Sequence, residues 1–322
     1  MAEVSVLIIT HGREELLSKC LGSLRELEAP FNLILIANGL KLSEEVLNLS
    51  HSLSSQVMTE FSPEKLTPGK ARNLGLSLVT TPWVYLIDDD AYLIPHYGQI
   101  AGPLFQNAKV DVFGGPDAPA PKMTLFAQSL AIALSSPFCT GTTFARHRSL
   151  GNRLVAADEQ KLTSCNLWIR MSALGEIRFP EDYKRGEEVL LLNQLDNSGA
   201  SMFYHPKLKV GHFRRKNFWH LLRPSFDGGF YRSRILKEGK FVGAEVFWLP
   251  SVFVVLHLTY FFSPESFWEM TKIYAGTILA VSLGLSSKAG KPWLFCIVAL
   301  LHYFIVTTFG LGFLYERIKF WK

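Results

Sequence analysis

The sequence predicts an α/β domain followed by C-terminal transmembrane helices. In the first 212 residues, short apolar runs rich in β-branched residues alternate with helical patterns. From residue 242 onward the chain contains long apolar segments. Hydrophobic residues make up 48% of the chain and charged residues 19%, which fits a polar domain joined to a membrane part better than either alone.

The first elements are predicted to be a strand, a helix and a second strand. Val4–Thr10 is a continuous apolar run, as expected of a strand that is buried on both faces. Glu14–Leu27 carries leucines at helical spacing, and Phe31–Ala37 is a second apolar run. Strand, helix and strand in this order and at this spacing indicate a parallel sheet.

Three acidic residues end the next predicted strand. A helix is predicted over 68–78, and the apolar run Trp83–Ile87 leads directly into Asp88, Asp89 and Asp90. In open α/β sheets, ligands bind beyond the carboxyl ends of the strands. Because Asp88 and Asp90 point to the same side of an extended chain, a hard cation such as Mg²⁺ or Mn²⁺ would relieve their repulsion. An acidic turn without a ligand is the alternative.

Later segments complete the predicted domain. Leu162–Arg170 and Met202–Val210 are expected to be strands, and Glu187–Leu195 is expected to be a helix. Two segments rich in Gly, Pro and small polar residues, Phe113–Pro121 and Ser135–Asn152, are predicted to be loops around a site.

A basic segment precedes the apolar C-terminal part. Between His205 and Lys240 there are ten Lys or Arg residues and two acidic residues. This position favours anionic lipid headgroups or a diphosphate as the partner, and we expect no nucleic acid. A solvated basic face is the alternative.

Three apolar segments are expected to be membrane-embedded. They are Val242–Phe262, Ile273–Leu285 and Trp293–Leu314, and a membrane span needs about 20 residues. The third is long enough, the second is short, and Glu245 and Pro250 interrupt the first. The N-terminal residues read as a strand and not as a signal peptide. We therefore expect a multi-pass protein of the inner or plasma membrane whose polar domain faces the cytoplasm.

The ordered motifs of the chain resemble the inverting nucleotide-sugar glycosyltransferases of family 2, which have the GT-A fold. In chain order the motifs are VSVLIIT, ANG, PGKARNLGLSLVTTPWVYLIDDD, TSCNLWIR, GEIRFPEDYKRGEE and GHFRR. The chain resembles the membrane-anchored enzymes of bacterial polysaccharide assembly, and the GT-A fold implies a Rossmann-like mixed sheet with flanking helices. The resemblance runs from about Val4 to about His212 and implies a catalytic domain over 1–212. The composition of the rest predicts a basic connector over 213–241 and a membrane segment with about three hydrophobic helices over 242–322.

The resemblance also implies roles for single residues. Asp88 and Asp90 form the family's Asp-x-Asp motif and, with His212, are expected to hold Mn²⁺ or Mg²⁺. The residues expected to contact the nucleotide-diphosphate sugar are Thr10, Arg13, Asn38, Lys70, Arg72, Asn73, Asp88, Asn166, Arg214 and Arg215. Ala37 stands where many relatives have an Asp that contacts the nucleobase. The nucleobase therefore stays open, with a UDP-sugar as the first candidate.

The catalytic base is expected in a pair of acids at a helix start. In inverting transfer a carboxylate removes the proton of the acceptor hydroxyl as it attacks the sugar. By resemblance Glu188 takes this role, and its neighbour Glu187 is the second candidate. The alternative is that both acids only favour the positive end of the helix dipole.

A membrane segment suggests an acceptor that is itself held at the membrane. A polyprenyl-diphosphate-linked saccharide in surface polysaccharide synthesis is the expected acceptor, and membrane lipids are expected partners. A glycosyltransferase that loads polyprenyl phosphate itself is one alternative, and an inactive membrane scaffold subunit is another.

Overall fold

The structure is a computed structural model that describes residues 3–121, 123–213, 217–239, 241, 243–257 and 263–319. The chain forms two compact units. The first contains residues 1–118 and 148–213, and the second contains residues 119–147 and 214–322. The proposed donor contacts Arg214 and Arg215 lie outside the described residues, as does the end of the predicted segment 242–262.

The described strands form one large and one small sheet. In chain order they are β1 (Val4–Thr10), β2 (Phe31–Asn38), β3 (Val57–Ser62), β4 (Trp83–Leu86), β5 (Ala91–Leu93), β6 (Val112–Gly114), β7 (Asp117–Pro119), β8 (Val155–Ala156), β9 (Leu167–Arg170), β10 (Met202–Tyr204) and β11 (Val210–His212). The large sheet has the order β3-β2-β1-β4-β9-β6-β10-β8, and the small sheet has the order β5-β11-β7.

The large sheet is parallel on one side and mixed on the other. Strands β1 to β4 run parallel to one another, whereas β9 is antiparallel to β4 and β6. The predicted strand Met202–Val210 is divided between β10 in the large sheet and the start of β11 in the small one, with Pro206 in between. Strand β3 was not predicted, because its half-exposed residues lack an apolar run.

The helices of the first unit cover both faces of the large sheet. They are α1 (Glu14–Ser23), α2 (Glu44–Leu53), α3 (Pro68–Leu76), α4 (Tyr97–Phe105), α7 (Met171–Leu174) and α8 (Glu187–Asn197). Alternate residues of β1 enter opposite cores. Val6 and Ile8 belong to the cluster that includes α1 and α4, and Leu7 belongs to the cluster that includes α3 and α8. This pleat explains the uninterrupted apolar run of the strand.

The second unit is helical. Its helices are α5 (Leu125–Leu134), α6 (Pro137–Thr140), α9 (Trp219–Ile235), α10 (Leu249–His257), α11 (Pro264–Lys288) and α12 (Phe295–Lys319). Leu130 of α5 shares an apolar cluster with Val298 and Leu301 of α12. Residues 119–147, which the sequence analysis placed within the catalytic domain, thus fold with the C-terminal residues because α5 is apolar and covers α12.

Helix α9 continues through Gly228 and Gly229. A Cβ at Gly229 would lie 1.9 Å from the carbonyl oxygen of Phe309 in α12. A Cβ at Gly312 of α12 would lie 2.0 Å from the carbonyl oxygen of Phe226 in α9. The glycines therefore permit a close approach of the two backbones, as small residues do where helices cross tightly.

One helix of the described residues, Pro292–Lys319, is long and apolar enough to cross a membrane. Helix α11 is also long, but Glu265, Glu269 and Lys272 lie in its first half. The first predicted segment forms only a short 3₁₀ turn and α10 within the described residues. One of the three expected membrane helices therefore meets the length and apolarity that a span requires.

Candidate active site

The candidate site lies where the parallel strands of the large sheet end. Thr10 of β1 is in register with Ala37 of β2, and Leu7 of β1 is in register with Leu86 of β4. The residues that follow these strands therefore meet at one edge of the sheet. Asp88, two residues beyond β4, is placed at this edge, as expected for a ligand-binding group of an α/β sheet.

Asp89 faces the protein interior and organises the end of β1. It is 1% exposed, and it accepts a hydrogen bond of 2.8 Å from the Thr10 hydroxyl. Arg13 forms ion pairs with both Asp89 and Asp90. The Thr10 hydroxyl is thus bonded to Asp89, and the expected contact of Thr10 with the donor stays a prediction. Arg13 is 44% exposed and retains access to a ligand.

Asp90 is held as a carboxylate between two basic groups. Its Oδ1 lies 3.1 Å from Nε2 of His212, and its Oδ2 pairs with Arg13. Burial by itself would raise the pKa of Asp90, but the contacts with His212 and Arg13 outweigh burial and lower the pKa to about 2.

His212, on β11, bridges two acids. Its Nδ1 lies 3.1 Å from Oδ2 of Asp117, and its Nε2 faces Asp90. Burial alone would lower the pKa of His212, but the hydrogen bonds to Asp117 and Asp90 raise it to about 10. Without a cation, His212 is therefore an imidazolium that compensates both carboxylates.

The Asp90 and His212 donors fit a divalent cation. Two ligand atoms 3.1 Å apart match adjacent positions around one ion at metal–ligand distances of about 2.1–2.2 Å. Asp117 would then orient the imidazole through its other nitrogen, as the outer partners of metal-bound histidines commonly do. Asp117, Cys165 and His212 also bring three ligand atoms within 4.8 Å of one another. Cation binding would displace the proton of His212, so affinity should rise with pH.

Sequence reasoning missed Asp117. It follows the Gly-Gly-Pro turn after β6, inside a segment that was predicted only as a loop around the site. The signal that could have indicated a functional role for Asp117 is an acidic residue directly after a Gly- and Pro-rich stretch at a strand end. The contact between Asp117 and His212 could not be predicted from local sequence, because His212 lies on β11, in a distant part of the chain.

Arg72 joins three parts of the site. This buried residue of α3 forms an ion pair with Glu187 and donates a hydrogen bond of 2.9 Å to the Ser164 hydroxyl. Its Nη2 also lies 3.3 Å from Oδ1 of Asp88. Burial raises the pKa of Asp88, and the Arg72 guanidinium opposes that shift. The predicted donor residue Arg72 is thus engaged with protein groups and positions two acids.

Glu187 and Glu188 begin α8 and differ in their surroundings. Gly186 precedes them with φ +77°, a left-handed conformation that suits glycine, and turns the chain into the helix. Glu187 is 4% exposed and pairs with Arg72, whereas Glu188 is half-buried. Burial raises the pKa of Glu187, and Arg72 favours its charged form. Glu187 therefore serves the ion pair, which leaves Glu188 as the candidate base.

Asn38 and Asn73, which were predicted to contact the donor, each bind a backbone segment of the protein. The Asn38 amide accepts from the Leu66 amide N–H at 2.7 Å and donates to the Leu66 carbonyl at 3.1 Å. The Asn73 amide makes the same pair of bonds, both 2.9 Å, with the backbone of Phe179. Their amide groups are thus engaged within the protein, and the donor contacts expected of both residues stay predictions.

Asn166 was expected to bind sugar hydroxyls, and in the structure its amide is engaged within the protein. The residue is 0% exposed, and its Oδ1 accepts hydrogen bonds from the hydroxyls of Tyr85 and Tyr97. Its Nδ2 donates to the Leu208 carbonyl at 2.7 Å. Trp168 is likewise a core residue, stacked on Tyr85. Lys70 is exposed on the first turn of α3, and its role stays a prediction.

Comparisons with known proteins agree with this architecture. A model of the family described as glycosyl transferase family 2 matches residues 5–178. Mannosyltransferase PcManGT from Pyrobaculum calidifontis, solved with GDP-Man and Mn²⁺, aligns with a TM-score of 0.61 and 12% identity over 94% of this chain and 87% of that chain. TarS 1–349 from S. aureus, solved with UDP-GlcNAc, aligns with a TM-score of 0.52 and 13% identity over 98% and 92%. No curated protein sequence matches significantly. At these identities the two structures show a common fold.

Proposed function

The chain belongs to glycosyl transferase family 2 and has the GT-A fold, and from this premise we propose that it transfers a sugar, with inversion, from a nucleotide-diphosphate sugar to a membrane-held acceptor. The acceptor that we propose is a polyprenyl-diphosphate-linked saccharide in surface polysaccharide synthesis. One observation carries the proposal. Asp90 and His212 are paired beside Asp88, and Arg72 connects Asp88 to the paired acids at the start of α8.

Asp90 and His212 would hold Mn²⁺ or Mg²⁺ in this reaction. Bound there, the ion would neutralise the negative charge that builds up on the departing diphosphate. The complex of the similar mannosyltransferase with GDP-Man and Mn²⁺, and that of TarS with UDP-GlcNAc, support a nucleotide-sugar donor. Arg13, a partly exposed cation paired with Asp90, would contact the same diphosphate.

Glu188 would act as the base. It takes the proton of the acceptor hydroxyl while that oxygen attacks the anomeric carbon, and the diphosphate leaves from the opposite face. A single displacement of this kind inverts the anomeric configuration. Arg72 and Glu187 act as positioning residues, because their ion pair fixes the start of α8 relative to Asp88.

The second unit would attach the enzyme to the plasma or inner membrane, with the catalytic domain in the cytoplasm. Helix α12 supports this, because it contains the apolar segment that is long enough for a span. Large apolar side chains of the neighbouring helices are also exposed, among them Leu249 and Val252 of α10 and Ile273 of α11. Such exposed apolar surface is typical of membrane interaction sites.

The test is a donor screen with the full chain in detergent. UDP-, GDP- and dTDP-sugars are incubated with Mn²⁺ or Mg²⁺, and release of the nucleoside diphosphate is measured. Removing Asp90 should cost several kcal/mol of transition-state stabilisation, so Asp90→Asn should lower turnover by about 10²-fold or more. Asp88→Ala should mainly raise KM for the donor. Asp196→Asn, at the exposed end of α8, is the matched control. Full activity in excess EDTA would overturn the metal assignment.

A further inference from the structure

The second unit contains a cavity that the proposed reaction does not use. Its volume is about 440 Å³, within the range of about 300–1,000 Å³ typical of small-molecule sites. The walls are mostly apolar. They are formed by Pro119, Ala120, Pro121, Met123, Ala131, Ile132 and Ala289, and the polar lining residues are Gln128, Ser135, His147 and Lys291.

The polar end of the cavity is built around an ammonium group. Lys291 Nζ donates a hydrogen bond of 2.7 Å to the Gln128 carbonyl oxygen, and the Gln128 amide donates to the Met123 carbonyl at 2.7 Å. Gln128 is thus fixed at both ends and holds the Lys291 side chain toward the cavity. An ammonium has three N–H donors, so donors remain for a bound anion. The described lining residues include no carboxylate, which leaves the positive charge of Lys291 uncompensated within the walls.

The cavity lies at the end of the apolar helix. Lys291 immediately precedes Pro292, where the segment that is long enough for a span begins. Trp293 is 65% exposed, as is common for tryptophans at the level of lipid headgroups. When this helix is embedded, the Lys291 ammonium lies at the depth of lipid phosphates.

We propose that this cavity binds the phosphate of an amphiphilic lipid, with the first part of its hydrocarbon chain on the apolar walls. The inference rests on the proposed lipid-linked acceptor for its role, and it names the place where the lipid phosphate of that acceptor is held. The volume exceeds the space of a phosphate alone, and the remaining walls are apolar. A cavity with one ammonium and apolar walls matches a phosphorylated polyprenol better than a free nucleotide.

The test measures binding directly, without the transfer reaction. Radiolabelled polyprenyl phosphate in detergent micelles is titrated onto the full chain, and bound lipid is counted after gel filtration. Loss of a hydrogen bond to a charged group should weaken binding, so Lys291→Gln should raise Kd about tenfold or more. Lys291→Arg, which keeps the charge, should bind within a few fold of the wild type. Lys288→Gln removes an exposed lysine that does not line the cavity and should bind like the wild type.

Competitors separate the possible sources of the phosphate. Unlabelled polyprenyl phosphate should displace the label, whereas polyprenol and inorganic phosphate should not. Equal competition by phosphatidylglycerol would overturn the acceptor assignment and give the site to bulk lipid. Equal binding by Lys291→Gln and wild type would overturn the site itself. Because the readout is binding, a wild-type chain that binds polyprenyl phosphate but transfers no sugar would refute only the proposed function.

Discussion

Replacing each of the two acids at the start of α8 by its amide should separate catalysis from stability. In Glu188→Gln the base is lost and the side chain keeps its size, so kcat should fall by at least about 10²-fold. The melting temperature should change less than in Glu187→Gln, because Glu187 is the acid that forms the buried ion pair with Arg72. In Glu187→Gln, by contrast, a buried guanidinium loses its closest carboxylate.

The magnitude for Glu187→Gln follows from its surroundings. Breaking a buried ion pair by removing one partner costs about 3–5 kcal/mol. Arg72 keeps its contacts with Asp88 and Ser164, and a glutamine oxygen can still accept a hydrogen bond, so we expect the lower end of this range. For a domain of about 150–250 residues, about 3 kcal/mol lowers Tm by about 6–12 °C.

The assay combines initial rates of nucleoside diphosphate release with thermal denaturation of the same preparations. Arg72→Met/Glu187→Met replaces both partners by apolar groups and should recover part of the lost stability, as apolar replacements of buried ion pairs often do. If Glu187→Gln were inactive yet stable and Glu188→Gln were active, our assignment of the two acids would be reversed. Unchanged rates in both variants would refute the need for a base and favour a lipid phosphate as the acceptor.

Three further predictions concern the metal, the helix packing and the membrane. Because the pKa of His212 is raised to about 10, protons should compete with Mn²⁺ for its imidazole. The Mn²⁺ concentration that gives half-maximal activity should therefore rise by up to about tenfold for each unit by which the pH is lowered from 8 to 6. A flat dependence would exclude His212 as a ligand. Gly229→Ala should destabilise the second unit by about 1–3 kcal/mol. Gly228→Ala is the control and should not destabilise it, because a Cβ at Gly228 would lie at an ordinary 3.7 Å from Phe309. Equal melting temperatures of the two variants would contradict the close packing of α9 on α12. The protein should remain in membranes after a carbonate wash, and its release would refute an embedded anchor.

Local sequence patterns were sufficient to predict the elements that surround the site. The strand Val4–Thr10 was predicted with its observed bounds, because a strand covered on both faces needs an unbroken apolar run. The position of Asp88 and Asp90 beyond β4 also followed from the sequence, since an apolar strand ended there. These features depend only on residues close together in the chain.

Other features depended on contacts between distant residues. The three asparagines expected at the donor look alike in sequence, and only the fold shows that their amides bind Leu66, Phe179 and Leu208. The partnership of Asp117 with His212 requires two strands that lie far apart in the chain. The same holds for Gly229 of α9, because glycine disfavours a helix in isolation but here makes room for α12.

The sequence by itself determined the fold class, the order of its motifs and the candidate acids. The tertiary structure alone decided which of these acids are engaged by neighbouring cations and which hold the protein together. The physical reason is that a polar side chain offers the same donors and acceptors to a ligand as to the protein. Whether a polar side chain binds a ligand or another part of the protein depends on its burial and on its nearest partner. Its burial and its partner are in turn determined by segments that lie far away in the chain.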